Sequence, residues 1–491
     1  MERVFQLPYG AGAQTLTLGD GFDVEVLRSL ADLEPDERER DEDRIVLDAM
    51  ANPAASHTAY GTQTAADGAP LAADGCVSTV NGTQTAADGA PVIGGGPRLC
   101  ELARGKRSAV VICSDHTRPV PSRRILPHML RELRAGSPGI EITLLVATGL
   151  HRATSRDELA AKFGPEIFGR ERIVIHDCAD SSAMRRLGRL PSGAELAINR
   201  IAADTELLVA EGFIEPHFFA GFSGGRKSVL PGICAYETVL GNHCAQFIAD
   251  PAARTGTLTG NPIHRDMLAA QRLAKLAYIV NVIIDGEKRV LRAFAGDPEA
   301  AHAAGCAALR ALCSVKPSQS ADIVITTNGG APLDQNIYQA VKGMTAAEAV
   351  AAPGAVIVVA AACGDGTGGD SFYRMLRGCG DPARLLDEIG RVPMERTEPD
   401  QWQVQILARV LSKHKVILVC EPGARTFARE MKLLTAADAD EAFSQANALW
   451  WAARTTAPTA RPRVTVIPNG VSVIVGPPAD TVPSQTSDFP N

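Results

Sequence analysis

The chain has 491 residues, 45% of them hydrophobic and 21% charged, which is the composition of an ordinary globular protein. At roughly 150 residues per domain, this length predicts two or three domains. The formal net charge of −7 argues against a protein that binds nucleic acid non-specifically, because such proteins need a basic face. We find neither a leader peptide nor an apolar run of membrane-spanning length, so we expect a soluble, cytoplasmic protein with no membrane partner.

The 11 cysteines include no C-x-x-C pair. Most of them lie in apolar runs, where a free thiol behaves as a small hydrophobe. This pattern predicts buried, reduced thiols and argues against a metal site built from cysteines.

The first hundred residues combine a strand pair with a segment of low complexity. FQLPYGAGAQTLTL, residues 5–18, predicts two short strands around a glycine-rich turn. Further on, the ten-residue sequence GTQTAADGAP occurs at 61–70 and again at 82–91. Because two copies rich in alanine, glycine, threonine and aspartate cannot supply a core, residues 53–96 are predicted to form a flexible insertion.

From residue 109 onward, apolar runs rich in β-branched residues alternate with helical stretches. Four such runs lie between residues 109 and 217, and three more follow residue 321. The alternation predicts an α/β fold with mostly parallel sheets and helices on both faces. We expect two α/β domains, 1–275 and 321–475, with an active-site cleft between them, a helical connection over 276–320 and a disordered tail over 476–491.

Polar clusters follow the strands at their carboxyl ends, where α/β proteins bind ligands. The clusters SDHTRPVPS, ATGLHR, EPHFFAGFSGGRK and LGNH supply Asp115, Arg118, His151, His217, Lys227 and His243. Paired histidines suit acid–base chemistry on the two faces of a planar carbon, as a racemase or epimerase needs. A lysine in a glycine loop is suited to be a nucleophile, a Schiff-base former or an anchor.

Together these motifs resemble the family of lactate racemases that use a nickel-pincer nucleotide. The shared motifs are SDHTRPVPS, ATGLHR, EGFIEPHFFAGFSGGRKSVLPG, LGNH and the later YQAVKG. The resemblance extends from LPYG near the start to VTVIPNGVSVIV near the end, and the 53–96 insertion departs from the family pattern without disturbing the motifs. It implies a racemase or epimerase that inverts C2 of a 2-hydroxy acid, such as lactate, by reversible hydride transfer to the cofactor through a 2-keto acid.

The resemblance also implies residues for the cofactor and for proton transfer. Lys227 would hold the pyridinium-3-thioamide-5-thiocarboxylic acid mononucleotide covalently, and His243 would be the protein ligand of its nickel. His151 and His217 would be the two acid–base residues. Enzymes that make the cofactor are therefore expected partners.

Further residues would complete the site. The resemblance implies substrate contacts from Asp115, Arg118, Tyr338, Gln339 and Lys342, and the Arg118 guanidinium suits a carboxylate. Because bare backbone N–H groups bind phosphate, we also expect the glycine loop to contact the cofactor. The residues expected there are Gly221, Gly224, Gly225 and Arg226.

Two other interpretations stay open at this stage. In the first, Lys227 forms a Schiff base with a keto acid, which leaves His243 and the histidine pair without clear roles. In the second, the protein is a non-catalytic carrier of the nickel nucleotide, which would not need His151 and His217 together.

Overall fold

A computed structural model of the protein describes residues 2–30, 41–55, 94–453 and 461–478. Most of the expected insertion and the tail beyond residue 478 lie outside these ranges. In chain order the described strands are β1 (Arg3–Tyr9), β2 (Gly12–Leu18), β3 (Asp23–Val26), β4 (Ser108–Ser114), β5 (Glu141–Ala147), β6 (Arg172–Ile175), β7 (Met184–Arg189), β8 (Glu195–Asn199), β9 (Leu207–Phe213), β10 (Pro216–His217), β11 (Gly221–Phe222), β12 (Leu276–Ile284), β13 (Val290–Gly296), β14 (Ser314–Val315), β15 (Ala321–Thr327), β16 (Ala351–Ala360), β17 (Lys415–Val419), β18 (Leu434–Ala436), β19 (Arg463–Ile467) and β20 (Ile474–Val475).

The described α-helices alternate with these strands through most of the chain. They are α1 (Glu42–Ala51), α2 (Leu99–Ala103), α3 (Ser122–Gly136), α4 (Arg156–Phe163), α5 (Pro165–Arg170), α6 (Arg200–Asp204), α7 (Tyr236–Asn242), α8 (Ala245–Ala249), α9 (Pro262–Leu273), α10 (Pro298–Cys313), α11 (Ile337–Val350), α12 (Asp370–Gly378), α13 (Pro382–Gly390), α14 (Gln401–Leu411), α15 (Pro422–Glu430) and α16 (Ala439–Ala452).

The first sheet has six strands in the order β13-β12-β9-β4-β5-β6. All neighbours run parallel except β13, which is antiparallel to β12. The β4 run SAVVICS is buried through its centre, as expected for a strand covered on both faces. Residues of α1 to α5 share one core with this sheet, and α9 and α10 contribute to the core on its other face.

The connection predicted over 276–320 is therefore wrong in its first half. Residues 276–296 form β12 and β13, which complete the first sheet, and only α10 matches the expected helix. The run AYIVNVII is rich in β-branched residues and pairs with β9. Its alanine-rich flanks, which favour helix, concealed this strand signal.

The second sheet also has six strands, in the order β18-β17-β16-β15-β19-β3, and all of them are parallel. Its edge strand β3 comes from the start of the chain, and the predicted β1–β2 hairpin packs on this sheet together with α16. Assigning the N-terminal strands to the first domain was therefore wrong. The pairing of Asp23 with Arg463 joins two ends of the chain that no local pattern relates.

A shared core joins the two halves, so that their sheets face a common cleft. One cluster of buried residues runs from α9 on the first sheet to α11 and α14 on the second. The carboxyl ends of β4, β5 and β9 open into the cleft, as do the loop after β15 and the start of α11. This arrangement confirms the predicted α/β fold with mostly parallel sheets. None of the described helices combines the length and the apolar character needed to cross a membrane.

Candidate active site

The cleft between the two sheets has a volume of about 610 Å³. Most of the residues predicted from the sequence line it, although they come from distant parts of the chain. They are Asp115, Arg118, His151, His217, Gly224, Lys227, His243, Tyr338, Gln339 and Lys342.

His151 stands on the rim of the cleft, just after β5, and is held by a carboxylate. Its Nδ1 lies 2.7 Å from Asp115 Oδ2, and Thr117 Oγ1 donates to the other oxygen of Asp115 at 2.7 Å. Burial opposes ionisation of Asp115, but the hydrogen bond and charge of His151, with the Arg118 charge, hold its pKa well below the usual range. Asp115 therefore accepts a hydrogen bond from the Nδ1–H of His151, which leaves Nε2 to exchange protons with a ligand.

These contacts change the expected role of Asp115. The resemblance implied that it binds substrate, but its carboxylate is engaged by His151 and Thr117. Arg118 is the more suitable partner for an anion, since its guanidinium is half-buried in the cleft and donates to Thr117 Oγ1 at 3.1 Å. Asp115 thus positions a histidine, while Arg118 lines the cleft with its guanidinium partly exposed.

His217 also lines the cleft, but its environment differs from that of His151. It ends β10, its Nδ1 accepts from the Ala220 N–H at 3.3 Å, and its Nε2 lies 3.3 Å from Lys227 Nζ. The ring packs against Phe218 and Phe219, with centroids 5.0 and 4.5 Å away. Burial, followed by the charges of Lys227, Lys342, Arg118 and His243, lowers the pKa of His217 well below its ordinary value, so the ring is neutral at pH 7.

Lys227 projects into the cleft from a short 3-10 turn, Gly225–Ser228. Its Nζ atom is surrounded by aromatic and basic groups and lies 5.7 Å from the centroid of the Phe219 ring. Burial, then the charges of Arg226, Arg118 and Lys342, lowers the pKa of Lys227 well below its ordinary value. These effects favour the uncharged amine, which is the form of lysine that acts as a nucleophile.

His243 follows α7 and is oriented by the backbone. Its Nδ1 donates to the Val239 carbonyl at 3.1 Å, so the Nε2 lone pair is available to a metal. The ring lies between Phe219 and Trp402, with centroids 5.2 and 5.0 Å away. Burial and the Lys227 charge lower the pKa of His243 to about 3, which keeps it in the neutral form that binds metals.

The donor set around His243 limits what could hold a metal there. Within the described ranges, no three histidine, cysteine, aspartate or glutamate side chains are grouped as metal ligands. A metal on His243 would therefore take its other donors from a bound cofactor or from water.

The second sheet contributes the first turns of α11. Tyr338 Oη accepts from Trp402 Nε1 at 2.8 Å, and the Asn336 side chain caps the helix by accepting from the Gln339 N–H. Lys342 is half-buried, and burial together with the Arg118 charge lowers its pKa to about 8. Arg118 and Lys342 thus place two basic groups at one cleft, which suits a carboxylate ligand.

The glycine loop differs from the prediction at three of its four positions. Gly224 lines the cleft, but Gly221, Gly225 and Arg226 do not. The Gly225 N–H donates to Asn281 Oδ1 at 2.7 Å, and Arg226 is fully buried away from the cleft. The structure therefore does not bring these three residues to the cleft, and their contact with a cofactor phosphate stays a prediction.

Sequence analysis also missed several residues that line the cleft, among them His116, Glu211 and Trp402. His116 lies inside the motif SDHTRPVPS, next to Asp115, and this position indicates a residue close to the cleft. Trp402 lies in the first turn of α14, where nothing in QWQVQILARVL separates a ligand-facing tryptophan from a core residue. Its contacts with His243 and Tyr338 appear only in three dimensions.

Two family models match the chain in the parts that build this cleft. The lactate racemase N-terminal domain matches residues 92–256, and the lactate racemase C-terminal domain matches residues 316–475. Together they account for the strand ends that carry the histidine pair and for the helix that carries Lys342.

Individual proteins with the same family name are similar over most of the chain. The lactate racemase of Thermoanaerobacterium thermosaccharolyticum is 49% identical over 381 residues, covering 78% of this chain and 87% of that protein. The lactate racemase of Lactiplantibacillus plantarum is 50% identical over 381 residues, covering 78% and 88%. The structure of the T. thermosaccharolyticum lactate racemase apoprotein superposes with a TM-score of 0.83 at 42% identity, covering 96% of this chain and all of that one. The motifs, the fold and the arrangement of the cleft therefore agree, and the chain belongs to the lactate racemase family.

Proposed function

We propose that this protein racemises a 2-hydroxy acid, with lactate as the first candidate, using a nickel-pincer nucleotide held on Lys227. The observation that carries the proposal is the convergence of His151, His217, Lys227 and His243 on one cleft. A carrier of the cofactor would need only the lysine and the metal ligand. The pair of histidines adds what inversion at a carbon requires.

The residues of the cleft fit the proposed cofactor. Lys227 offers a depressed-pKa amine for the covalent bond, and His243 offers a neutral Nε2 for nickel. Nickel would accept one imidazole together with soft donors from the nucleotide, so no cluster of protein ligands would be required. When bound, the nucleotide would supply a reversible hydride acceptor for C2 of the substrate.

Binding of the substrate is assigned to the basic residues of the two domains. Arg118 and Lys342 would hold the carboxylate of the 2-hydroxy acid, because a guanidinium and an ammonium both pair with carboxylates. A fixed carboxylate leaves C2 and its hydroxyl between His151 and His217. The aromatic rings of Phe219 and Trp402 would limit the access of water to the reacting carbon.

Proton transfer is then divided between the two histidines. In one direction, His151 takes the hydroxyl proton as C2 loses its hydride, which leaves a planar 2-keto acid. After this intermediate rotates, C2 would regain the hydride on its opposite face. His217, which is neutral in the ligand-free protein, would first take up a proton from solvent and then pass it to the oxygen. The reverse reaction exchanges the two roles, so each histidine acts once as a base and once as an acid.

The proposal is tested by producing the chain together with the enzymes that make the cofactor. We expect a mass adduct on the protein, nickel in stoichiometric amount, and racemisation of D- and L-lactate. A panel of chiral 2-hydroxy acids assayed in parallel identifies the preferred side chain. Cofactor-loaded protein that racemises none of them would contradict the proposal.

Matched substitutions assign the roles of Lys227 and His243. Lys227→Ala should abolish the adduct, whereas Lys162→Ala, which removes another lysine of lowered pKa, should retain it. His243→Ala should keep the adduct and lose nickel. His176→Ala is its control, because His176 is buried, neutral and bonded to the Cys234 carbonyl but does not line the cleft. An adduct that persists in Lys227→Ala would contradict the anchor assignment.

The same preparations separate the rival functions. A Schiff-base enzyme would trap a keto acid on Lys227 upon borohydride treatment without any nickel cofactor. A carrier would show the adduct and the nickel but no racemisation in any preparation.

A further inference from the structure

The glycine loop places two basic residues side by side, and their side chains go to opposite sides. Lys227 lines the cleft, whereas the next residue back, Arg226, is fully buried beneath the loop. Its guanidinium donates to the carbonyls of Ala220 at 2.8 Å, Gly224 at 3.3 Å and Ser223 at 3.5 Å. One side chain therefore ties together the backbone on which Lys227 stands.

Two helices behind the loop complete the contacts of this guanidinium. His302 of α10 lies with Nε2 2.8 Å from Arg226 Nη1, and His264 of α9 accepts from Arg226 Nε at 3.0 Å. Burial, followed by the Arg226 charge, keeps the pKa of both histidines below the ordinary value, so both are neutral and able to accept. Arg226 thus connects the loop to the α9–α10 layer of the first domain.

The packing at Gly225 makes this connection tight. A methyl group at Gly225 would lie 2.7 Å from the His302 ring, and the residue has a φ of +53°, which disfavours other side chains. Its N–H is bonded to Asn281 Oδ1 of β12. The loop is therefore fixed to α10 and β12 at the residue before Arg226.

Arg226 is also a charge without an acidic partner. Among the residues that the structure describes, no carboxylate forms an ion pair with it, and carbonyl oxygens and neutral imidazoles surround it. Burial lowers its pKa to about 10, so it remains charged at neutral pH. Buried arginines usually pair with carboxylates, because desolvating a cation is costly. An unpaired one suggests that the charge itself has a use.

We propose that Arg226 is the positioning residue for Lys227: it fixes the glycine loop so that the lysine amine faces the cleft, and it places a permanent positive charge behind that amine. The use of the amine as cofactor anchor rests on the proposed function. The position of Arg226 next to Lys227 in the loop and its effect on the Lys227 amine do not.

The electrostatic effect follows from the groups around Lys227. Arg226, Arg118 and Lys342 disfavour its ammonium form, Glu215 favours it, and His217 lies in contact with it. Only Arg226 is both adjacent in the chain and inaccessible to a ligand that enters the cleft. Its charge therefore acts on Lys227 whether or not the site is filled, and keeps the amine nucleophilic.

The test uses the full-length, cofactor-free chain and acetic anhydride as probe. Acetylation of Lys227 is followed by peptide mass spectrometry from pH 5 to pH 11, with exposed Lys415 as internal reference. Arg226→Gln, which removes the charge, should raise the midpoint of Lys227 labelling by about one pH unit or more, a roughly tenfold loss of labelling below both midpoints. Arg226→Lys should raise it less but slow the labelling, since an ammonium cannot reach three carbonyls and two histidines.

Arg254→Gln is the matched control. Arg254 is partly buried and, like Arg226, donates to backbone carbonyls, here of Asp250 and Ala253, but it lies outside the glycine loop. Its substitution should leave the midpoint unchanged. If Arg226→Gln does not fold, the midpoint and the rate of Lys227 labelling in Arg226→Lys decide the test.

The proposal is overturned if the Arg226 variants label Lys227 as the unaltered protein does, or if Arg254→Gln shifts the midpoint equally. Because no cofactor is present, these results do not depend on whether the protein is a racemase.

Discussion

The two histidines of the cleft lie in contrasting environments. His151 lies on the rim, with 38% of its side chain exposed and the Asp115 carboxylate 2.7 Å from its Nδ1. His217 is half-buried, stacks on Phe218, and faces the Lys227 amine. His151 and Asp115 form the open side of the cleft, where a negative charge holds the histidine. His217 and Lys227 form the closed side, where the histidine is held by burial among positively charged groups.

This difference shows that a symmetric reaction does not require a symmetric site. The equilibrium constant between two enantiomers is one by symmetry, so kcat/KM must be equal in the two directions for the protein and for every variant. Unequal surroundings therefore cannot favour one enantiomer over a full turnover. In the proposed mechanism, the unequal surroundings affect only the individual proton transfers. Asp115 would act on the transfer at His151, and Lys227 would act on the transfer at His217.

The largest expected effect comes from removing either histidine. General acid–base groups contribute roughly 10²- to 10⁴-fold, so His151→Ala and His217→Ala should each lower kcat/KM by about that factor, equally in both directions. The measurement is racemisation of each enantiomer by polarimetry or chiral chromatography, on protein whose adduct and nickel content are verified. If one variant keeps nearly full activity with reduced thermal stability, that histidine serves packing and the comparison fails.

Removal of the carboxylate should have a smaller effect, confined to the open side. Hydrogen bonds to charged groups are worth about 1.5–3 kcal/mol, so Asp115→Asn should lower kcat/KM by roughly 10- to 150-fold. The same substitution added to His151→Ala should cost almost nothing further, because residues that act through one another are not additive. Full additivity in this double-mutant cycle would show that Asp115 acts on the substrate directly.

The two sides should also differ in how pH affects their stability. The pKa of Asp115 is lower in the folded protein than in the unfolded chain, so its ionised form stabilises the fold above about pH 4 and this contribution is lost as pH falls. Asp115→Asn should therefore lower the unfolding free energy by about 1.5–3 kcal/mol at pH 7, a difference that narrows below about pH 4. Thermal unfolding from pH 7 down to pH 3.5 measures it.

Lys227 should show the opposite sign. Its pKa is also lowered by folding, but for a base this means that the unfolded chain binds more protons, so its presence costs stability at neutral pH. Lys227→Met should accordingly raise the melting temperature at pH 7, and the gain should disappear as pH rises above about 10. A lower melting temperature of Lys227→Met at pH 7 would show that folding does not disfavour the ammonium form of Lys227.

The strand-end residues of this site were predictable, and the reason lies in the sheet. Asp115, His151 and His217 follow apolar runs that the alternation marks as parallel strands, and parallel strands bring their carboxyl ends to one edge. Lys227 and His243 needed the family motifs, since a lone histidine or lysine in a loop has no chemistry of its own.

What the sequence could not indicate depends on contacts between distant residues. In GGRK, either cation might face the ligand. In the structure, the Arg226 side chain points inward because His302, 76 residues away, contacts its guanidinium. Asn281, which is 56 residues from Gly225, accepts a hydrogen bond from the N–H of that glycine on the same side of the loop. The pairing of β3 with β19 is hidden for the same reason, because loops of such length leave no periodic signal.

The smallest effect should come from the hydroxyl that supports the carboxylate. Thr117 Oγ1 donates to Asp115 Oδ1 at 2.7 Å and lies 3.3 Å from His151 Nδ1, so it fixes the carboxylate without being its main partner. Hydrogen bonds to charged groups are worth about 1.5–3 kcal/mol, but Asp115 keeps its bond to His151 in Thr117→Val. We therefore expect only about a third to a half of that energy to be lost, which predicts a roughly 2- to 12-fold lower kcat/KM. The matched control is Thr154→Val, whose hydroxyl lies 3.1 Å from His116, the neighbouring histidine that has no proposed role in proton transfer. Because valine keeps the shape of threonine in both variants, a larger loss in Thr117→Val than in Thr154→Val isolates the support of Asp115. Equal losses of kcat/KM in the two variants would mean that any repacking of this loop impairs the enzyme. The support of Asp115 by Thr117 would then not explain the effect.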